Sequence, residues 1–161
     1  MGDVTLEECT MYQYLGHFIT NDGKDNKDIL RQCRSIYAKG NNLIRNFYKC
    51  SVPIKALLFK MYCGSLYTCQ LWSNFTLSVY KKLSVAYHGV FKKMLNLPRW
   101  TSNSMTFVTN KVPSFQEIIR RSVFSFFNRV AGSVNNLVIN VLNNEHSNES
   151  TLLKRWHSLL H

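Results

Sequence analysis

The chain has 161 residues, of which 45% are hydrophobic, with a formal net charge of +11 and a pI near 9.6. This length supports one compact domain with a hydrophobic core, and so positive a charge is typical of nucleic-acid-binding proteins. The basic residues are spread over several segments instead of one amphipathic helix, so we expect no membrane partner.

The N-terminal segment is predicted to be a short strand or hairpin. Residues 11–20 are rich in Tyr, Phe and Ile, and Asn21-Asp22-Gly23 is a turn signal. Asp22, Asp25 and Asp28 stand three apart but lack the order of a calcium loop. We interpret them as acids favoured at a helix start by the helix dipole.

A long first helix is predicted from about residue 26 to 48. Its apolar residues recur in steps of three and four, at Ile29, Cys33, Ile36, Tyr37, Gly40, Leu43, Ile44 and Phe47. The opposite face carries Lys27, Arg31, Arg34, Asn41 and Arg45. A solvated face is the ordinary meaning of such a stripe, but this one has no acids, which favours contact with nucleic acid.

Pro53 is predicted to lie in the first turn of a second helix. The residues that follow are apolar nearly all round, so this helix is expected at the centre of the bundle: Ile54, Leu57, Leu58, Met61, Tyr62, Leu66 and Trp72. Residues 61–80 carry no charge, but they contain too many Ser, Thr, Asn and Gln residues for a membrane span. A buried helix followed by a turn is predicted instead.

A third helix is predicted from about residue 77 to 95, capped by Thr76. Its inward residues are Tyr80, Leu83, Ala86, Tyr87, Val90, Phe91 and Met94, which leaves Lys81, Lys82, His88 and Lys92 on other faces. Pro98 is predicted to end it, and Arg99-Trp100 opens a polar loop. Trp100 either stacks on nucleic acid or plugs the base of the bundle, and the sequence does not separate these two.

The capping box Ser114-Phe115-Gln116-Glu117 predicts a fourth helix that runs to about residue 130, with Phe115, Ile118, Ile119, Phe124 and Phe127 as its apolar contacts. A short helix over 134–142, a linker over 143–150 and an amphipathic piece over 151–160 complete the chain. The predicted fold is mainly α, with a short N-terminal β-strand or hairpin and a bundle of four to five helices. We divide it into a strand and turn (1–25), a helical bundle (26–142) and a linker with a short helix (143–161).

The basic residues have no acidic neighbours along much of the chain. Residues 29–116 contain no Asp or Glu. The same span contains thirteen basic residues: Arg31, Arg34, Lys39, Arg45, Lys49, Lys55, Lys60, Lys81, Lys82, Lys92, Lys93, Arg99 and Lys111. Because acids an i,i+4 step away are missing, phosphate is the expected counter-charge.

Motifs of catalysis and metal binding are missing from the sequence. It has no Asp-Asp pair for magnesium, no glycine-rich phosphate loop, no nucleophile elbow and no Cys-x-x-Cys. The five cysteines are irregularly spaced, so we expect buried thiols in a reducing compartment, within the cytoplasm, the nucleus or both. We expect no cofactor, no metal and no enzyme activity from this chain by itself.

A series of short motifs resembles reverse transcriptases of non-LTR (LINE-type) retrotransposons. Residues 12–19 read Tyr-Gln-Tyr-Leu-Gly-His-Phe-Ile, with Asp22-Gly23 after them. This looks like the block late in the palm of that family whose motif is Tyr14, Leu15 and Gly16 here. Segments 67–72, 83–88, 95–100 and 112–115 are similar to its thumb and post-thumb region, and their order and spacing fit over about residues 9–130.

The resemblance implies a thumb-like fragment of an RNA-directed DNA polymerase. In that family the fingers, the palm with its metal-binding aspartates and any endonuclease domain lie upstream of the Tyr-Leu-Gly block, so no catalytic residue carries over to this chain. The Cys/His knuckle found near the C-terminus of many such elements is also missing. Met1 stands just ahead of the block, which suggests a truncated or re-used fragment.

A thumb holds the backbone of a template–primer duplex without reading its sequence. The expected partners are therefore RNA, RNA–DNA hybrid or DNA duplex. The predicted contacts are Lys27, Arg31, Arg34, Arg45 and Lys49, assisted by Lys81, Lys92 and Arg99. The alternative is an inert remnant or interaction module that docks on a palm domain or on itself through Tyr12, Tyr14 and Phe18.

Overall fold

The chain folds as a β-hairpin followed by helices, in a computed structural model that describes residues 8–143 and 150–160. The described elements are β1 (Met11–Tyr14), β2 (His17–Thr20), α1 (Asn26–Asn46), α2 (Val52–Cys63), a 3₁₀ helix (Cys69–Leu71), α3 (Leu77–Met94), α4 (Asn103–Thr109), α5 (Phe115–Ala131), α6 (Asn136–Asn143) and α7 (Thr151–Leu160). The predicted fold class, a short hairpin before a helical bundle, is confirmed.

The hairpin turns at Leu15 and Gly16. β1 and β2 pair antiparallel, with Tyr14 opposite His17. Both turn residues have positive φ, 46° and 78°, as a two-residue hairpin of matching twist requires. A Cβ on Gly16 would also lie 3.0 Å from Cε1 of Tyr67. Glycine is therefore required here by both the turn and the close approach of an aromatic ring.

α1 and α3 run parallel and form the frame of the bundle. Near their N-termini, the backbone N–H of Asp25 donates to Asn74 O (2.8 Å) and that of Thr76 donates to Asn26 Oδ1 (2.9 Å). Further along, Gly40 in α1 packs so tightly on Val90 in α3 that a Cβ on Gly40 would overlap Val90 Cγ1. The glycine thus sets how close the two helices come.

Two buried carboxylates tie the N-terminal ends of these helices to the rest of the molecule. Asp25 Oδ2 accepts hydrogen bonds from the backbone N–H groups of Ser73 (2.8 Å) and Asn74 (2.9 Å). The side chain of Asp28 is fully buried and accepts from Thr68 Oγ1 (2.9 Å) and Trp72 Nε1 (2.8 Å). Besides starting a helix, these acids therefore tie α1 to the segment ahead of α3.

The hairpin joins the same cluster from the other side. The backbone N–H of Phe18 donates to Asp28 Oδ1 (3.3 Å), and His17 Nδ1 lies 3.2 Å from Asp28 Oδ2. Burial by itself would raise the pKa of Asp28, but hydrogen bonds from Trp72, Arg31 and Thr68 outweigh it and hold the pKa below its usual value. Asp28 therefore stays ionised at the centre of a network that spans hairpin, α1 and the 3₁₀ region.

Aromatic rings from four segments form the centre of the core. Phe59 of α2 lies between Tyr87 and Phe91 of α3, at centroid distances of 5.0 and 4.6 Å. Phe107 of α4 and Phe115 of α5 complete the cluster. The Tyr87 hydroxyl, the polar group in this region, donates to Pro113 O (2.9 Å). Six of the seven residues predicted to point inward from α3 are buried, and the seventh, Tyr80, is half-buried.

The prediction that α2 is central in the bundle is wrong. α2 buries only Lys55, Ala56, Phe59 and Cys63. Ile54, Leu57, Met61 and Tyr62, which were expected inside, are each about half exposed or more. Phe59 explains the difference, because its large ring packs into the core from one face of α2. The opposite face of the helix is then left in solvent.

Several other inward assignments differ from the prediction. Tyr37 is 45% exposed because α3 packs on the adjacent face of α1, and Phe124 is 55% exposed because Val123 takes the core position in α5.

One of the two predicted helix caps is wrong. Thr76 precedes α3, but its side chain does not cap the helix. Ser114 does cap α5, accepting from Glu117 N at 3.2 Å, while the Glu117 carboxylate turns to Arg121 (2.6 Å) and does not complete the box.

α3 ends at Met94 before Pro98 is reached. Asn96 has a φ of 56°, Leu97 N donates to Lys92 O (2.9 Å) and Asn96 N donates to Lys93 O (3.1 Å). This pair of bonds is a Schellman motif with Asn at the left-handed position. The polar loop predicted to open at Arg99-Trp100 is short, because Ser102 caps α4, a helix that was not predicted, through its side chain.

The C-terminal helix packs on the bundle. The Trp156 side chain is 3% exposed, and its Nε1 donates to Gln70 O (2.8 Å). The Arg155 guanidinium lies 4.3 Å from the centroid of the Phe75 ring. α6, in contrast, buries no residue. Part of the predicted linker, residues 144–149, lies outside the described residues.

All five cysteines are free thiols. Cys63 and Cys69 are buried, Cys33 and Cys50 are half-buried and Cys9 is exposed, so the expectation of buried thiols fails for Cys9. Burial raises the pKa of the Cys63 thiol to about 11. Within residues 8–143 and 150–160, the structure has no helix long and apolar enough to cross a membrane.

Candidate nucleic-acid interface

A basic cleft lies between the second half of α1, the second half of α3 and the loop before α4. Its volume is about 740 Å³. The cationic side chains lining it are Lys92, Lys93 and Arg99, and the polar ones include Asn41 and Asn103. No lining residue is acidic, because the whole cleft is built from the span 29–116. The acid-free span thus becomes a concave surface in the folded chain.

Two of the predicted contact residues on α1, Arg34 and Arg45, lie beside this cleft. The residues of α1 that line the cleft are Tyr37 and Asn41. Arg34 lies three residues before Tyr37 and Arg45 four residues after Asn41, so both are neighbours of the lining residues along one helix face. Arg34 and Arg45 are exposed. The two guanidinium groups therefore extend the positive surface along the side of the cleft formed by α1.

Lys81 occupies the equivalent position on the opposite side. It is exposed and lies one turn before Val85, which lines the cleft from α3. Arg99, also exposed, closes the end of the cleft nearest α4. Of the exposed predicted contacts, Arg99 lines the cleft, and Arg34, Arg45 and Lys81 each lie one helical turn from a lining residue.

Arg31 serves the fold instead of the free surface. Its Nη2 lies 2.7 Å from Asp28 Oδ1 and its Nε donates to the same oxygen at 2.9 Å. Its guanidinium also lies 5.8 Å from the centroid of the Phe18 ring. The expectation that no acid relieves the charges of the span is therefore wrong for Arg31, whose partner lies one residue before the span begins.

Lys92 is also held by the protein. It is 8% exposed, although it was expected on an outer face, and its Nζ donates to Arg99 O at 3.0 Å. A buried alkyl stem that ends at a backbone carbonyl is a common arrangement for lysine. Lys92 contributes charge to the floor of the cleft and fixes the chain at Arg99.

Lys27 and Lys49 lie beyond the two ends of the cleft. Both are exposed. Lys27 is in the first turn of α1, ten residues before Tyr37, which corresponds to about 15 Å along the helix. Lys49 follows α1, and its Nζ lies 5.5 Å from the centroid of the Tyr48 ring. The eight predicted contacts therefore separate into a group at the cleft and three residues away from it.

Sequence reasoning missed three residues of the cleft. Lys93 is exposed and lines it, as do Tyr37 and Asn103. Tyr37 was assigned to the core because it stands at helical spacing beside Ile36. Gly40 is the sequence signal that could have shown that Tyr37 lies outside the core. A glycine inside a long helix often marks the point where another helix packs closely, and residues beside that contact face, such as Tyr37, can then be exposed.

Trp100 does not plug the bundle. Its side chain is 87% exposed, so that half of the alternative is wrong. It stands between Arg99 and Asn103, both of which line the cleft. An indole therefore projects into solvent at the rim of a basic concavity.

His88 lies where the cleft meets the aromatic core. Its ring is 5.1 Å from that of Phe107, edge to face. Burial lowers the pKa of His88, and the nearby Lys92 ammonium lowers it further. His88 is therefore neutral at physiological pH and adds no charge to the cleft.

The motif residues Tyr14, Leu15 and Gly16 lie at the hairpin, away from the cleft. Tyr14 is 58% exposed and Leu15 is 73% exposed. Among the described residues, no group of three or more His, Cys, Asp or Glu side chains could hold a metal ion. No protein-family model matches this chain, and no curated protein or solved structure matches it either.

Proposed function

We propose that this chain is a nucleic-acid-binding, thumb-like fragment of a retrotransposon RNA-directed DNA polymerase. It holds the backbone of a template–primer duplex without sequence specificity and is not catalytic alone. The observation that carries this proposal is the acid-free cleft, around which Arg34, Arg45, Lys93 and Arg99 are exposed. The Tyr-Leu-Gly block and the motifs after it supply the polymerase context by resemblance.

The kind of cation at the cleft supports a backbone contact. Contacts from Arg and Lys to phosphate oxygens position a duplex and carry no information about base sequence. The exposed cations Lys27, Arg34 and Arg45 of α1 extend over eighteen residue steps, or about 27 Å of helix. A surface of this length spans several phosphates, which suits a protein that must move along any product.

Charge reversal at the cleft tests the proposal. Binding of a fluorescently labelled RNA–DNA hybrid, measured by anisotropy, is expected to weaken at least about tenfold in the double variant Arg34→Glu/Arg45→Glu at low salt. The matched control is Lys60→Glu/Arg120→Glu, which changes the net charge equally at two exposed residues that do not line the cleft.

The control is expected to weaken binding by less than about threefold, because those residues lie outside the contact. Equal losses in the two double variants would contradict a localised interface and leave only a bulk effect of charge. Two hybrids of unrelated sequence are expected to bind alike. A primer–template incubated with the purified chain and nucleotides is expected to give no extension product.

A second candidate function is a protein-interaction module, and the exposed face of α2 favours it. Ile54, Leu57 and Met61 lie at i, i+3 and i+7 and are 48%, 56% and 64% exposed. Tyr12 and Tyr14 of the hairpin are also exposed, whereas Phe18 is half-buried. A contiguous apolar helix face of this kind is typical of association surfaces.

For this second candidate function, the proposed partner is a second copy of the chain. Sedimentation velocity at high salt, which screens the charge of +11, is expected to show a dimer that Leu57→Glu/Met61→Glu abolishes. Leu77→Glu, at another exposed leucine, is the control. A monomer at every concentration and salt would contradict the candidate.

A further inference from the structure

The loop that carries Trp100 is held firmly although its side chain is in solvent. Leu97 N donates to Lys92 O (2.9 Å), Thr101 N donates to Pro98 O (3.1 Å), and Lys92 Nζ donates to Arg99 O (3.0 Å). On the far side, Ser102 caps α4. The backbone on both sides of Trp100 is thus fixed, and the indole is presented from a rigid support.

The other two tryptophans show how unusual this position is in the molecule. Trp72 is fully buried and Trp156 is 3% exposed, and each donates its indole N–H to an oxygen atom of the protein. Trp100 is 87% exposed. A large aromatic side chain that is exposed on a fixed loop is available to stack on a ligand.

The surroundings of Trp100 match the parts of a nucleotide. Arg99 supplies a cation for phosphate, and the side-chain amides of Asn41 and Asn103 line the same cleft with donors and acceptors suited to base edges. Tyr37 adds a second, half-exposed ring. The cleft volume of about 740 Å³ lies within the usual range for small-ligand sites.

We infer that Trp100 and the cleft beside it form a site for an unpaired nucleotide at the end of a nucleic-acid duplex. The inference rests on the proposed function and narrows it to a junction between paired and unpaired strand. Bases inside a duplex stack on each other and do not offer their faces to a side chain. An unpaired base does, and stacking on an aromatic ring then adds to the phosphate contacts.

Intrinsic fluorescence reports on this site directly, because Trp100 is the one tryptophan that a quencher can reach. Acrylamide quenching is measured with the free protein, with a blunt hybrid, and with two hybrids that carry an unpaired RNA or DNA overhang. All duplexes have the same total number of nucleotides. The overhangs are expected to protect Trp100 at least about threefold more than the blunt hybrid.

Anisotropy on the same duplexes supplies the second readout. Trp100→Ala is expected to weaken overhang binding about tenfold and blunt binding less than twofold, while Trp100→Phe keeps most of the affinity. Met105→Ala, at an exposed side chain of the neighbouring α4, is the matched control and is expected to change neither. The RNA and DNA arms show which strand the site accepts.

The outcomes separate this inference from the proposed function. If all duplexes bind but Trp100 stays equally accessible to acrylamide with and without an overhang, the unpaired-nucleotide site is refuted and the backbone interface stands. If no duplex binds, both fail together. Protection confined to the overhang duplexes, and lost in Trp100→Ala, supports the site.

Discussion

The two ends of the parallel pair α1 and α3 use charge in opposite ways. At the N-terminal ends, Asp25 and Asp28 are buried and accept hydrogen bonds from the segment ahead of α3. At the C-terminal ends, Arg45, Lys93 and Arg99 are exposed around a cleft with no acid in its lining. The carboxylates at the N-terminal ends are bonded within the protein, whereas the cations around the cleft are exposed to solvent.

The difference shows that a basic residue can be assigned to folding or to ligand binding only from the groups that it contacts. Its position in a basic stripe of the sequence is not enough. Arg31 and Arg34 share one face of α1, three residues apart. Arg31 binds the buried Asp28, whereas Arg34 stands beside the cleft. Changing Arg31 would therefore mix a loss of stability with a loss of binding, whereas the exposed cations beside the cleft, such as Arg34, test binding alone.

The largest effect is expected from Asp28→Asn, which breaks the N-terminal network. The amide keeps one acceptor oxygen but turns an NH₂ group toward donors such as Thr68 Oγ1 and Trp72 Nε1. Removing one member of a buried, charged network costs about 3–5 kcal/mol. Urea denaturation followed by circular dichroism should show a loss of this size.

Asp22→Asn is the matched control for this prediction. Asp22 is exposed and bonds only within its own turn, to Thr20 and Lys24. Its substitution is expected to shift the urea midpoint far less. Similar shifts in the two variants would show that Asp28 is not the centre of the fold.

The second largest effect is expected where Gly40 of α1 packs on Val90 of α3, a contact that sets the distance between the two helices. Gly40→Ala is expected to destabilise the chain by about 1–3 kcal/mol, because the new Cβ overlaps Val90 and the core cannot absorb it. The same substitution at Gly89 meets no atom within 4 Å. There the gain in helix propensity should stabilise the chain by about 0.5–1 kcal/mol.

Thermal unfolding of Gly40→Ala and Gly89→Ala measures these two changes in stability, which are expected to have opposite signs. In a Val90→Ala background, Gly40→Ala should cost less, since the overlapping methyl group is gone. A cost at Gly40 that does not change in that background would place the strain elsewhere.

Local patterns predicted six of the seven α-helices among the described residues but not α4, and tertiary contacts explain other features that they missed. The spacing of apolar residues placed α1, α3 and α5 to within a few residues. It misjudged α2, because Phe59 and Cys63 take the face of the helix that packs on the core, which leaves Leu57 on the opposite face exposed. The sequence predicted Arg34, Arg45 and Arg99 as contacts, and the structure places them exposed at or beside the cleft. The sequence could not predict the burial of Lys92, because that burial depends on the carbonyl of Arg99, which only the folded loop brings near.

A smaller effect is expected from acid. The folded-state pKa of Asp28 is lowered, so its ionised form contributes stability above the unfolded-state value near 4. That contribution declines as the pH falls below about 4 and is lost once the pH passes the folded-state pKa. Urea midpoints measured from pH 7 to pH 2 should fall more steeply for the unmodified chain than for Asp28→Asn, which has no carboxyl to titrate there. Parallel curves would contradict the network's role.

The salt dependence of duplex binding tests the central claim most directly, namely that the exposed cations around the cleft bind phosphate. If Arg34, Arg45, Lys93 and Arg99 each neutralise one phosphate, the plot of log affinity against log salt has a slope of about −3.6. Arg34→Glu/Arg45→Glu should flatten it by about two units, and Lys60→Glu/Arg120→Glu should leave it nearly unchanged. A flat slope for the unmodified chain, or one slope shared by all three proteins, would contradict the account.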